Sequence, residues 1–164
     1  MAAKFNDRDI EEARVVAERL NLYGKQLIMI PSTKVIIHVC NGIGPEWFPS
    51  KVRSFIDKLH PSLKVVAMLH DLAYFFGTET EEDFKAANLG FQTNGVAVAD
   101  DSFGWYNPRR YLVRFDAGKM SKLCDIGGRT AYYAAIADRQ RMSDPTIDAA
   151  YYAWAVNRQE STNG

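Results

Sequence analysis

Residues 63–76 read LKVVAMLHDLAYFF, and within this apolar run only Lys64, His70 and Asp71 are strongly polar. Apolar residues on nearly every side are typical of a helix that is buried at the centre of a domain. Burying His70 and Asp71 without partners would be costly, so the pair indicates a functional site rather than ordinary packing. His70 and Tyr74 are four residues apart and share a helix face, whereas Asp71 points about 100° away. The pair therefore lies at an edge of the helix, where it can line a cleft.

Further helices are predicted on both sides of this run. An amphipathic helix begins at Asn6 or Asp7 and ends before Gly24. Thr80 precedes an acidic stretch in a pattern similar to a capping box, and predicts a helix that ends at Asn94-Gly95. Two antiparallel central helices follow, since only a few residues separate them. Other predicted helices cover residues 51–59, 130–139 and 146–156.

Strands are predicted in two places. Residues 26–30 and 34–40 are β-prone runs around Pro31-Ser32-Thr33, which predicts a β-hairpin. A short strand is also predicted over residues 110–115. The expected fold is therefore α+β and mostly helical, with two central antiparallel helices and a small β-hairpin.

The hairpin would lead directly into Cys40-Asn41-Gly42-Ile43-Gly44, a Gly-x-Gly loop with two interpretations. The backbone carbonyls or amides of such a loop can bind an ion or an oxyanion. Together with His70-Asp71, that would indicate a metal-assisted hydrolase. Alternatively, Gly42 and Gly44 only turn the chain after a strand. The sequence leaves both interpretations open.

Composition sets the remaining boundaries. The chain has 164 residues, of which 47% are hydrophobic, and this is enough for one compact core. We expect a single domain over residues 1–158 with its core at 39–94, followed by a polar tail at 159–164. The 20 basic and 20 acidic residues balance, so charge gives no reason to expect nucleic acid as a partner.

The cysteines and the N-terminus favour an intracellular, cytoplasmic protein. Cys40 and Cys124 are too few for a disulfide framework, and Cys124 is expected to be a small buried hydrophobe. Residues 1–8 lack the basic and apolar segments of a signal peptide. No apolar run approaches the roughly 20 residues that a transmembrane helix needs.

The loop and the helix together resemble a known pattern. Secretory phospholipases A2 and the phospholipase domains of parvovirus capsids have a glycine calcium loop followed by a helix with His-Asp-x-x-Tyr, similar to residues 40–44 and 70–74 here. A group of small phage-encoded proteins is more similar still. Their pattern adds Trp and Pro after the loop, Gly three residues after the Tyr, and Ala-Asp and Phe one helix later. The corresponding residues of this chain are Trp47, Pro49, Gly77, Ala87, Asn88 and Phe91. The resemblance covers residues 39–94 and implies a phospholipase A2-like core in a cytoplasmic or virion-associated protein.

The resemblance also implies residue roles. His70 would be the general base that takes a proton from the attacking water, with a phospholipid or another ester as the substrate. Ca²⁺ would be bound by Asp71 and by the carbonyl oxygens of Cys40, Gly42 and Gly44. The Gly42 amide would stabilise the oxyanion as it forms.

The chain departs from that pattern in the missing cysteines of the secreted members, in the longer spacing between loop and helix, and at position 88. Asn88 stands where the family has the aspartate that orients the catalytic histidine, and Tyr74 is expected to add its hydroxyl to the site. We expect an amide at Asn88 to favour the wrong imidazole tautomer of His70, an effect that costs roughly four orders of magnitude in rate in a serine protease. Asp83, about one turn earlier, is an alternative partner for His70.

Two other functions remain open. The apolar-His-Asp sequence resembles the motif of HD-domain phosphohydrolases, in which His38 and either Asp100 or Asp101 would complete a transition-metal site with His70 and Asp71. Against it, that family presents its first histidine on a helix, whereas His38 is predicted in a strand. The third possibility is a non-catalytic phage or assembly protein that keeps the core and binds a protein partner.

Overall fold

The structure is a computed structural model that describes residues 5–42 and 61–162, and within these ranges the chain forms α-helices, turns and no strand. The helices are α1 (Asp7–Arg19), α2 (Gln26–Met29), α3 (Thr33–Gly42), α4 (Lys64–Phe75), α5 (Glu81–Ser102), α6 (Pro108–Gly127), α7 (Arg129–Arg141) and α8 (Pro145–Thr162), with a 3₁₀ turn at Pro61–Leu63 before α4. The helix predicted over 51–59, together with Gly44, Trp47 and Pro49, lies outside the described residues.

The predicted α+β fold is wrong, because the residues of the expected hairpin form α2 and α3. In α3, Val35, Ile36 and Val39 are fully buried on one face, whereas His38 is exposed. Their spacing of one and three residues fits the helical period, and burial of this face outweighs the strand preference of β-branched side chains. The Ser32 hydroxyl accepts from the Val35 amide at 3.3 Å in the first turn.

The strand predicted over residues 110–115 is also wrong, since these residues lie in α6. Asn107 is the N-cap of this helix, and its side chain accepts from the Arg109 amide at 3.0 Å. Pro108 occupies the first helical position, where its missing N–H costs no helical hydrogen bond. Asn-Pro therefore begins a helix here.

The capping predictions are confirmed at α1 and α5. Asn6 and Asp9 form a reciprocal capping box at the start of α1, with both hydrogen bonds at 3.0 Å. Thr80 is the N-cap of α5 and accepts from the Asp83 amide at 3.3 Å. However, α5 does not end at Gly95, where a Cβ atom would collide with the Cβ of Ala117 on α6. The glycine permits close packing of two helices rather than ending one.

The prediction of α4 as a central buried helix is confirmed. It contacts α1, α2, α3, α5 and α7, and its side chains from Val65 to Phe75 are mostly buried. His70 lies beside Phe91 and Tyr74 lies beside Phe84, so that α4 and α5 run antiparallel. The outer helix α6 packs mainly along α5. In residues 5–42 and 61–162, no helix has both the length and the apolar character needed to cross a bilayer.

Candidate functional site

The candidate site is a buried hydrogen-bond network between α4 and α5. The Oδ1 atom of Asn88 lies 3.0 Å from Nε2 of His70 and accepts a 2.7 Å hydrogen bond from the Tyr74 hydroxyl. His70 is 8% exposed, Tyr74 5% and Asn88 1%. His70 and Tyr74 share one face of α4 because they are one turn apart, and the antiparallel α5 brings Asn88 opposite both.

Two residues of α6 complete the surroundings of Asn88. Its Nδ2 atom donates to Oδ1 of Asp125 at 2.7 Å, and its backbone carbonyl accepts from the Ser121 hydroxyl at 2.8 Å. The sequence reading missed both Ser121 and Asp125. They are four residues apart on a helix that the sequence did not predict, and no local motif connects them to Asn88.

The His70 ring is enclosed by aromatic side chains. Its centroid lies 4.2 Å from that of Tyr74 and 5.5 Å from that of Phe91 in an edge-to-face arrangement. Tyr74 in turn meets Tyr132 of α7 edge to face at 5.3 Å. A cavity of about 10 Å³ adjoins His70 between Phe91 and Trp154, which is room for a single water molecule.

The charge state of His70 depends on its neighbours. Burial disfavours the imidazolium, but the neighbouring Cys124 and Asp71 side chains favour it more strongly and raise the pKa of His70 from 6.5 to about 10. Burial also raises the pKa of the Tyr74 hydroxyl far above its usual range, so Tyr74 remains a hydrogen-bond donor. Cys124 is buried, as expected, but no local pattern predicted that it acts on His70.

Asp71 lies on the more open side of His70. Its Oδ1 atom is 3.6 Å from Nδ1 of His70, and its side chain is 40% exposed. Burial, and secondarily the charge of Asp71, raises the pKa of the Cys40 thiol, which also donates to the Met68 carbonyl at 3.9 Å. The last turn of α3 therefore contacts α4 at Met68, three residues before Asp71.

The expected metal ligands occupy a helix end rather than a loop after a strand. Cys40 and Gly42 belong to the last turn of α3, where carbonyl oxygens point away from the helix and the helix dipole favours a cation. Gly44, the third expected carbonyl ligand, lies outside the described residues. Over the part of the chain that the structure describes, no group of three or more His, Cys, Asp or Glu side chains could hold a metal ion.

Asp83, the alternative partner for His70, is engaged elsewhere. Its Oδ2 atom accepts from the Thr78 amide at 3.0 Å and from the Thr78 hydroxyl at 2.5 Å, which stabilises the turn before α5. Asn88 instead contacts His70 directly.

The additional residues of the phosphohydrolase interpretation have separate partners. His38 is on a helix after all, which removes the sequence argument against that family. Its Nε2 atom lies 2.7 Å from Oδ2 of Asp138 on α7. Asp100 pairs with Arg110 at 2.6 Å, and Asp101 pairs with Arg19.

Comparisons of this chain with protein-family models, with curated proteins and with solved structures find no match. The function is therefore inferred from the chemistry and geometry of the site itself.

Proposed function

We propose that this chain is a phospholipase A2-like ester hydrolase in which His70 is the general base. The observation that carries the proposal is the hydrogen bond between His70 and Asn88, with the Tyr74 hydroxyl on the same acceptor atom. A catalytic histidine needs one ring nitrogen fixed by a partner so that the other can accept a proton. Nε2 of His70 has such a partner, and Nδ1 faces the more open side near Asp71.

Calcium is the metal that this proposal implies. The half-exposed Asp71 carboxylate and the last turn of α3 supply oxygen atoms, which a hard cation prefers over nitrogen or sulfur. Asp71 and the carbonyl oxygens of Cys40 and Gly42 would hold the ion, together with Gly44. When bound, Ca²⁺ would polarise the ester carbonyl and stabilise negative charge on its oxygen.

The proposal is tested by hydrolysis of phospholipid vesicles in the presence of Ca²⁺ at alkaline pH. Loss of a general base lowers the rate by about 10²–10⁴-fold, so His70→Gln is expected to lose hydrolysis by that factor. His38→Gln is the matched control, because it removes an exposed histidine that pairs with Asp138 of α7 and not with Asn88. Equal rates for wild type and His70→Gln would refute the proposal.

A second candidate is a non-catalytic assembly protein that retains this core. It is favoured by exposed aromatic and aliphatic side chains along α6 and in the turn before it, which are Trp105, Tyr106, Tyr111, Leu112 and Phe115. Contiguous exposed apolar surface is typical of a protein interface. This candidate predicts that neither His70→Gln nor Ca²⁺ changes assembly with the protein partner. Polar substitutions of the exposed apolar residues on α6 should abolish that assembly.

A further inference from the structure

The orientation of the Asn88 amide decides which nitrogen of His70 carries the proton. An amide oxygen can only accept a hydrogen bond, and an amide nitrogen can only donate one. If Oδ1 of Asn88 faces His70, the neutral ring must carry its proton on Nε2, and Nδ1 keeps a free lone pair. If Nδ2 faces His70, the neutral ring must instead carry its proton on Nδ1.

Asp125 distinguishes these two orientations. An ionised carboxylate has no proton to donate, so the atom of Asn88 that contacts Oδ1 of Asp125 at 2.7 Å must be the donor Nδ2. Oδ1 then faces the other way, toward Nε2 of His70 at 3.0 Å and the Tyr74 hydroxyl at 2.7 Å. The Tyr74 hydroxyl can donate or accept and so agrees with this arrangement without deciding it.

We propose that Asp125 is a positioning residue, which holds the Asn88 amide so that the neutral His70 ring is protonated on Nε2 and bare on Nδ1. Oδ1 of Asp71, at 3.6 Å, is too far from Nδ1 to form a hydrogen bond with it. The proposal rests on the function proposed above, since a bare Nδ1 matters only if His70 acts as a base. It reverses the expectation that an amide at this position selects the wrong tautomer. Asn88 and Asp125 together then replace a single carboxylate at position 88. The Asp125 carboxylate orients the Asn88 amide, and the amide oxygen accepts the hydrogen bond from Nε2 of His70.

The test reads the tautomer directly and does not depend on activity. In ¹⁵N-histidine-labelled protein, the imidazole nitrogen shifts and their proton couplings distinguish a protonated from a bare nitrogen. They are recorded at the alkaline end of the titration, where the ring is neutral. Wild type is expected to show a protonated Nε2 and a bare Nδ1. A protonated Nδ1 in wild type would overturn the proposal, whatever rate of hydrolysis is measured.

Substitution at Asp125 then tests the cause. Asp125→Arg replaces an obligatory acceptor by a donor that stays protonated at the alkaline pH of the measurement, which draws Oδ1 of Asn88 outward and turns Nδ2 toward His70. The expected result is a change of the predominant tautomer from Nε2–H to Nδ1–H. Position 125 is exposed and tolerates the longer side chain. An unchanged tautomer in this variant would overturn the role of Asp125.

A double variant and a control complete the experiment. Asn88→Asp combined with Asp125→Arg places a carboxylate next to His70 and a donor outside it, and is expected to restore Nε2–H. Asp116→Arg makes the same charge change on α6, about 14 Å nearer the start of that helix, and is expected to leave the tautomer unchanged. A change with Asp116→Arg would show that net charge sets the tautomer, and no restoration in the double variant would contradict the role of the Asn88 orientation.

Discussion

The Tyr74 hydroxyl donates a hydrogen bond to the same Asn88 oxygen that faces His70. The contribution of this hydrogen bond to the free energy of unfolding can be measured by substitution. Tyr74→Phe removes one buried hydrogen bond but leaves the ring in place against Tyr132 and Phe84. We expect a loss of about 1 kcal/mol in the free energy of unfolding, measured by urea denaturation.

Tyr111→Phe is the matched control for that prediction. Its hydroxyl donates to the Trp105 carbonyl at 3.2 Å on an exposed surface, so its loss is expected to change stability by less than about 0.5 kcal/mol. Equal effects of the two substitutions would contradict the buried network around Asn88.

For single residues, the sequence predicted those in direct contact with His70 but missed the residues of α6 that contact Asn88. His70, Tyr74 and Asn88 lie on two helices whose order and antiparallel packing follow from local patterns, so their proximity was foreseeable. Asp125 and Ser121 contact Asn88 from a third helix. That contact depends on the packing of α6 along α5, and spacing alone cannot predict it.

Among the helix contacts, the junction between α6 and α7 is the place where the Tyr74 hydroxyl lies close to the backbone of Gly128, and substitutions there test its position. Gly127 and Gly128 are neighbours, but only Gly128 is closely surrounded. A Cβ atom at Gly128 would collide with the Tyr74 hydroxyl and lie 2.5 Å from the Cys124 carbonyl oxygen, whereas one at Gly127 would meet nothing within 4 Å. The turn between α6 and α7 and the position of Tyr74 therefore both require a residue without a side chain at position 128.

Gly128→Ala is expected to lower the free energy of unfolding by about 1–3 kcal/mol through overpacking. Gly127→Ala, its neighbour and control, is expected to be neutral or stabilising by up to about 1 kcal/mol, because alanine is the better helix former. Thermal unfolding of both variants gives the comparison. Similar melting points would mean that Tyr74 does not approach α7 as described.

The sequence predicted helix starts more accurately than strands. Asn6 and Thr80 carry local capping signals that need no tertiary context, and both are N-caps. Residues 34–40 and 110–115 contain β-branched and aromatic side chains whose local preference is for strands. Burial of one helical face in α3, and a Pro108 start in α6, decided these segments instead.

For the whole molecule, the central position of α4 was predictable because a run that is apolar on all sides must be covered on all sides. The packing of α6 on α5 was less predictable, since α6 keeps Tyr111, Leu112 and Phe115 exposed. An amphipathic pattern indicates which face is apolar but not whether another element of the same chain covers it.

Calcium binding is expected to stabilise the whole fold. A ligand present at about 100 times its dissociation constant raises the free energy of unfolding by about 2.7 kcal/mol, so Ca²⁺ should raise the melting temperature of chelator-treated protein. Asp71→Asn is expected to abolish this shift, whereas Asp116→Asn, on α6, should retain it. A shift that persists in Asp71→Asn would show that Asp71 is not a ligand.

The most direct measurement is the initial rate of phospholipid hydrolysis as a function of pH, for wild type and His70→Gln. Only the neutral imidazole can accept a proton, and the pKa of His70 is raised to about 10. The wild-type rate is therefore expected to rise with pH and to level off once His70 is neutral, whereas His70→Gln should show a low rate without this rise. The same pH profile in both proteins, or no hydrolysis by wild type at any pH, would contradict the assignment of His70 as the general base.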